Sequence, residues 1–137
     1  MAPLAAPGSA AVAVLADDLI WGTRLASTID SLDGAQATRL RSLPALETWV
    51  TAPDRGPRDA VIVDLTARAY DGVEAIELAS SVGVRVLAVG QHDDVELRKR
   101  ALDAGAERVY AYRKLFEDGP ATLARWLGLA AETVTPT

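Results

Sequence analysis

Three aspartates that follow apolar segments are the residues of this chain best suited to chemistry. Asp17 and Asp18 come directly after the apolar run at residues 10–16, and Asp64 ends the run that begins at residue 60. Carboxylate oxygens are hard ligands that favour Mg²⁺, and repulsion among several unpaired carboxylates favours recruitment of a cation. Brought together, these side chains would form a pocket for Mg²⁺ and a phosphoryl group. Taken singly, each has a simpler explanation, because Asp also caps helices and stabilises turns.

The composition narrows the chemistry that the chain can perform. Cys is absent and His occurs once, so thiolate zinc sites, cysteine nucleophiles and histidine-based triads are excluded or nearly so. The 14 Lys and Arg against 19 Asp and Glu give a net charge of -5, which argues against nucleic-acid binding. No apolar run approaches the ~18 residues of a membrane span. We therefore expect a soluble, cytoplasmic protein with neither a nucleic-acid nor a membrane partner.

Apolar runs alternate with segments of helical spacing along the chain. A length of 137 residues corresponds to one domain, predicted at residues 10–129 between a flexible leader at 1–9 and a flexible tail at 130–137. Strands β1 to β5 are predicted at residues 10–16, 36–40, 60–65, 84–89 and 108–112, and helices α1 to α5 at 19–32, 43–50, 73–81, 93–104 and 121–129.

The predicted strands are too apolar to have one face in water, which indicates a parallel sheet covered by helices on both sides. The fold class is therefore α/β, a single doubly wound sheet of five parallel strands. Ligands of such sheets bind beyond the C-terminal strand ends, where the strand order reverses. With the order 2-1-3-4-5, β1 and β3 are neighbours at that position, so Asp17, Asp18 and Asp64 should converge.

Three segments carry a resemblance to a known family. Residues 14–18 read Val-Leu-Ala-Asp-Asp, Asp64 is followed seven and eight positions later by Asp71-Gly72, and residues 101–106 read Ala-Leu-Asp-Ala-Gly-Ala. In these motifs and their order, the chain resembles the receiver domains of response regulators, the CheY-like family, over roughly residues 11–128. The resemblance implies the flavodoxin-like receiver fold and a function in two-component phosphorelay signalling.

The resemblance also implies a role for each candidate site residue. Asp64 would be the phosphorylated nucleophile and a metal ligand, Asp18 a second ligand, Asp17 a partner through water, and Thr66 a ligand through its carbonyl. Mg²⁺ is the implied cofactor, since it offsets charge on the transferred group. Any enzymatic activity would be limited to phosphorylation and dephosphorylation of Asp64, with no metabolic reaction. The implied partners are a histidine kinase or phosphotransfer protein, and a second copy through the α4–β5–α5 face.

The resemblance fails where the phosphoryl group would be contacted. A hydroxyl residue is expected at the end of β4, where the sequence has Gly90. The phosphate-pairing Lys expected after β5 is Tyr112 by an ungapped count and Lys114 if two residues are inserted, with Arg113 between them. We assign the role to Lys114 and keep Tyr112 and Arg113 as alternatives. Residues 67–70 also replace the family's Met-Pro, so this loop should take another shape.

These departures leave two hypotheses and a less favoured third. A phosphoacceptor would use Mg²⁺ and Asp64 to change partner affinity, whereas a pseudo-receiver would bind its partner without phosphate. A flavodoxin-like ligand binder or small enzyme is less favoured, because the loops after Asp18 and Asp64 lack the Gly-rich composition that cradles a cofactor phosphate. His92 follows β4 near the expected site, where a solvated loop residue is the default interpretation.

Overall fold

Strands and helices alternate strictly in the computed structural model, which describes residues 9–91 and 93–129. The strands are β1 Ala10–Leu15, β2 Ala35–Leu40, β3 Ala60–Asp64, β4 Arg85–Gly90 and β5 Arg108–Ala111. The helices are α1 Leu19–Asp30, α2 Leu43–Val50, α3 Gly72–Ser81, α4 Val95–Ala104 and α5 Tyr112–Leu127. The predicted leader and tail, and also His92, lie outside the described residues except for position 9, so the domain limits stay a prediction.

The five strands form one sheet in the order β2-β1-β3-β4-β5, and every strand pair is parallel. This confirms the predicted fold class and strand order. The register places Leu15 beside Val63, so the chain leaves β1 and β3 at the same edge of the sheet. Asp17, Asp18 and Asp64 are therefore delivered to one end of the molecule.

Alternation along the strands divides the core into two layers. Leu15 and Val63 face α2, α3 and α4, whereas Val14 and Ile62 face α1 and α5. All four side chains are fully buried, which explains why β1, and β3 as far as Asp64, are apolar on both faces. Within the described ranges, no helix is long and apolar enough to cross a membrane.

The end of the chain differs most from the sequence prediction. β5 ends at Ala111, and α5 begins at Tyr112 rather than at residue 121. Asp118 has non-helical angles, φ -143 and ψ 32, so the helix bends just before Pro120. The predicted helix start at Gly119-Pro120 matches the helical segment that begins after this bend, where the missing N–H of proline costs nothing, and the prediction missed the helical segment at residues 112–117 before it.

Candidate functional site

Asp64 lies at the C-terminal end of β3 and is almost completely buried, with 2% of its surface exposed. Three hydrogen bonds end on its Oδ1. The Thr66 backbone N–H and hydroxyl donate to it at 3.0 and 2.9 Å, and the Tyr112 hydroxyl donates to the same oxygen. One oxygen of the predicted nucleophile is thus already the acceptor of a local hydrogen-bond network.

Tyr112 is the first residue of α5, so its ring extends from the end of β5 over the end of β3. Burial raises the pKa of its phenol, and the hydrogen bond to Asp64 raises it further. The phenol therefore stays neutral and acts as a donor to the carboxylate. Trp21 packs edge-on against the Tyr112 ring with centroids 4.7 Å apart, which holds the ring in place.

The two aspartates after β1 both accept hydrogen bonds from backbone N–H groups. Asp18 is the N-cap of α1, and its Oδ1 accepts from the Trp21 N–H at 2.8 Å. Asp17 Oδ2 accepts from the backbone N–H groups of Arg68 and Ala69 at 2.9 and 3.0 Å. The simpler explanation considered for single aspartates therefore accounts for one oxygen of each.

A cleft of about 580 Å³ opens beside Asp64. Four of its lining residues, Asp17, Asp18, Asp64 and Thr66, were predicted from the sequence, and the others are Trp21, Arg68, Tyr112 and Phe116. Arg68, Trp21 and Phe116 were missed as site residues. Arg68 had a usable signal, because it belongs to the loop whose sequence departs from the family motif.

Lys114 is not among the residues that line the cleft, so the sequence assignment of the phosphate-pairing cation does not match the geometry. Its ammonium lies 3.6 Å from Asp118 Oδ2, one helical turn along α5. Arg113 also turns away, with its guanidinium 3.2 Å from Glu117. The residue that reaches Asp64 is Tyr112, the alternative given by the ungapped count, because α5 begins there and turns the next two side chains outward.

The residues of the cleft do not fit Mg²⁺ in this arrangement. Within residues 9–91 and 93–129, no group of three His, Asp or Glu side chains is placed to hold a metal ion. One oxygen each of Asp17, Asp18 and Asp64 accepts hydrogen bonds from the protein, and Oδ1 of Asp64 is covered by a neutral phenol. The oxygens that these bonds leave free are not grouped closely enough to hold an ion within the described part of the chain, so binding would require the side chains to move.

Gly90 ends β4 beside the cleft, where the resemblance calls for a hydroxyl residue. A Cβ at this position would lie 3.3 Å from Cδ1 of Leu65 and 3.4 Å from its Cβ. A side chain at this position would therefore press on Leu65, which would have to shift by a few tenths of an ångström. β4 therefore has no hydroxyl group that could form a hydrogen bond with a modified Asp64.

Tyr70 fastens the ends of the two strands that carry the aspartates. Its buried hydroxyl lies 2.8 Å from the Leu15 carbonyl and 2.9 Å from the Asp64 carbonyl, with Tyr70 as the donor. Burial, followed by the charge of Asp64, raises the pKa of this phenol, so it remains a donor. Tyr70 thus anchors the loop at residues 67–70 to the ends of β1 and β3.

We expect Tyr70→Phe to lower the free energy of unfolding by about 1–2 kcal/mol, because buried carbonyls lose their donor while the ring still fills its space. Urea unfolding followed by circular dichroism measures the change. Tyr110→Phe is the matched control, since its half-buried hydroxyl has no hydrogen bond among the described residues, and it should stay within about 0.5 kcal/mol of the parent. Equal losses in both variants would contradict the anchor.

A five-stranded parallel sheet of order 2-1-3-4-5, with an acidic cleft beyond β1 and β3, is the fold of response-regulator receiver domains. The receiver domain of NarL from Mycobacterium tuberculosis aligns with a TM-score of 0.71 and 16% identity, over 88% of this chain and 97% of that one. The Mn²⁺-bound response regulator Rcp1 aligns at 0.70 and 14%, over 93% and 99%. The receiver domain of the Francisella response regulator 1452 aligns at 0.70 and 12%, over 86% and 96%.

The sequence itself matches no family model and no curated protein. At identities of 12–16%, the structural likeness establishes the receiver fold, and the chemistry must be argued from this chain's own residues.

Proposed function

We propose that this chain is a pseudo-receiver, a signalling module that keeps the receiver fold and binds its partner without phosphorylation. The observation that carries the proposal is the hydrogen bond from the Tyr112 hydroxyl to Oδ1 of Asp64. A neutral donor thereby stands where a phosphoacceptor needs a cation. The partner would be a protein of a two-component pathway, met in the cytoplasm.

Charge at the cleft supports this proposal. Phosphoryl transfer relies on cations that stabilise the oxygens of the moving group, and one such contact is worth about 3–4 kcal/mol at the transition state. Lys114 and Arg113 pair with acids on α5 instead, and Arg68 is the basic residue among the described residues of the cleft. Acceptance of phosphate at Asp64 would therefore rely on Arg68 alone for this contact, without a cation from the start of α5, and we expect it to be slow or absent.

The space beside Gly90 supports the same proposal. In a phosphorylation switch, a local change of charge must bias a second element of the protein. Gly90 carries no hydroxyl that could connect Asp64 to α4, and Leu65 packs closely against this position. Even a modified Asp64 would lack this connection, so a partner bound at α4 would not sense it.

A second candidate function is Mg²⁺-dependent phosphoryl acceptance at Asp64, with a histidine kinase or phosphotransfer protein as the donor. It is favoured by one observation, namely that Asp17, Asp18, Asp64 and Thr66 line the same cleft. It requires the carboxylates of the cleft to move closer together before an ion can bind, because the described residues hold no group of three that fits a metal ion. Its only enzymatic activity would be phosphorylation and dephosphorylation of Asp64. Exposed Val95 and Leu102 on α4 support the accompanying proposal of a homodimer through the α4–β5–α5 face.

The test is to incubate the chain with Mg²⁺ and acetyl phosphate, and separately with Mg²⁺ and beryllofluoride. We expect no phosphoryl group by intact-mass measurement, and the same backbone N–H resonance of Thr66 with and without the reagents, because Tyr112 keeps Oδ1 of Asp64 occupied. Asp64→Asn is the control for modification at other sites. A phosphoryl adduct that disappears in Asp64→Asn would overturn the proposal and establish the second candidate.

A further inference from the structure

A second groove lies at the opposite end of the sheet from Asp64. It has a volume of about 420 Å³ and runs between the start of β5 and the end of α5. Glu107 is the one acid among the described lining residues. The walls also carry three arginines and two aromatic residues, which are Arg85, Arg108, Arg125, Tyr110 and Trp126. Neither the acidic cleft nor helix α4 contributes to it.

One arginine of the groove is held rigidly by its neighbours. Arg85 Nη2 donates to Glu107 at 2.9 Å and to the Trp126 carbonyl at 2.7 Å, and its guanidinium lies 4.7 Å from the centre of the Trp126 ring. The Trp126 indole N–H completes the network by donating to Glu107 at 3.0 Å. The hydrogen bond from Arg85 holds the pKa of Glu107 below its usual range, so this acid stays ionised. The network stiffens the wall of the groove.

The two remaining arginines are free to bind. Arg108 and Arg125 are exposed, and the guanidinium of neither forms an ion pair or a hydrogen bond within the described part of the chain, although the charge of Arg108 contributes to the lowered pKa of Glu107. Each can therefore offer its planar donor fork to a carboxylate from another molecule. Half-buried Tyr110 lies in the same groove and supplies apolar surface.

The position of the groove also favours an extended ligand. β5 is an edge strand, so one side of its backbone has no strand partner in the sheet. An extended segment can pair with such an edge while its alternate side chains enter the adjacent groove.

We propose that this groove binds an extended acidic segment of a partner protein, whose carboxylates pair with Arg108 and Arg125. The inference rests on the proposed function, since it names the partner surface of the same phosphate-independent module. A groove of about 420 Å³ holds a few side chains and not a nucleic-acid duplex. A long polyanion or a second copy of the chain would be repelled by the net charge of -5. A short acidic segment interacts mainly with the arginines beside it, because charges farther away are screened by salt.

The experiment measures fluorescence anisotropy of a labelled short peptide of alternating Glu and Val, titrated with the full chain. We expect the double variant Arg108→Glu/Arg125→Glu to weaken binding by about tenfold or more, as expected when two charge-assisted contacts are reversed. Arg98→Glu/Arg100→Glu, on the exposed face of α4, changes the net charge equally and should leave the affinity within about twofold.

The proposed peptide site would be contradicted if the peptide does not bind, or if both double variants lose affinity equally. It would also be contradicted if a single-stranded oligothymidine binds more tightly through the same arginines. A dimer that dissociates in Arg108→Glu/Arg125→Glu would assign the groove to a second copy of the chain instead. The same experiment tests the proposed function separately. If Mg²⁺ and beryllofluoride change the peptide affinity of the parent but not of Asp64→Asn, the proposal of phosphate-independent binding is rejected and the proposal of a peptide site in the groove is kept. If they change nothing and the arginines matter, both proposals stand.

Discussion

Asp59→Ala is expected to lower the free energy of unfolding by about 3–4 kcal/mol, because it breaks a buried ion pair and leaves two backbone donors without acceptors. Asp59 lies in the turn before β3 with 8% of its surface exposed. Its Oδ1 accepts from the Ala11 N–H at 3.0 Å and its Oδ2 from the Gly56 N–H at 2.7 Å. The carboxylate therefore joins the α2–β3 loop to the first strand.

The charge partner of Asp59 increases the expected loss. Arg55 lies 3.3 Å from Asp59 Oδ2, has only 16% of its side chain exposed, and stacks on the Trp49 ring with its guanidinium 3.8 Å from the ring centre. Without Asp59, this cation stays largely buried beside an aromatic ring with its nearest acid removed. Hydration of the vacated space would recover part of the loss, which is why the expected value stays near the lower end for broken buried pairs.

Asp54→Ala is the matched control, because Asp54 pairs with the same arginine at 3.6 Å but has 80% of its side chain exposed. An exposed pair contributes about 0–1 kcal/mol, so this variant should unfold close to the parent. Urea unfolding followed by circular dichroism compares the two variants at equal m-values. A loss in Asp59→Ala no larger than in Asp54→Ala would show that the buried network does not stabilise the fold.

Gly105→Ala is expected to cost about 2–4 kcal/mol, the sum of backbone strain and a steric overlap. Gly105 ends α4 with φ +124, a conformation that residues with a Cβ rarely adopt. An added Cβ would overlap Ser80 Oγ and lie 2.7 Å from Ser80 Cβ, on the neighbouring helix α3. The Ala-Gly-Ala motif at residues 104–106 is thus a packing requirement between two helices.

Gly83→Ala separates the two contributions. Gly83 also has a positive φ, +82, but a Cβ there would meet no atom within 4 Å, so only the backbone cost of about 1 kcal/mol remains. Adding Ser80→Ala to Gly105→Ala removes the nearest clashing atom and should recover part of the loss, which a double-mutant cycle measures. Equal unfolding energies for Gly105→Ala and Gly83→Ala would exclude a clash between α3 and α4.

The sequence by itself determined the class of fold and the position of the acidic cleft. The strand at residues 60–63 is apolar at every position before Asp64 and can only be buried on both faces, which requires a parallel sheet with helices on each side. Once that sheet is predicted, Asp17, Asp18 and Asp64 must leave it at one edge, because parallel strands end together. Local pattern was sufficient for the strands themselves, whereas the convergence of the three aspartates also depended on the strand order 2-1-3-4-5, which makes β1 and β3 neighbours.

The tertiary structure alone decided what surrounds Asp64. Tyr112 and Asp64 are 48 positions apart, and Asp17 reaches a loop 51 positions away, so no local pattern reports either contact. The identity of the residue over Asp64 depends on where β5 ends, and a shift of one residue turns a different side chain toward the cleft. A motif count kept Lys114 and Tyr112 as alternatives, whereas packing of the first turn of α5 against Trp21 placed the tyrosine on the carboxylate.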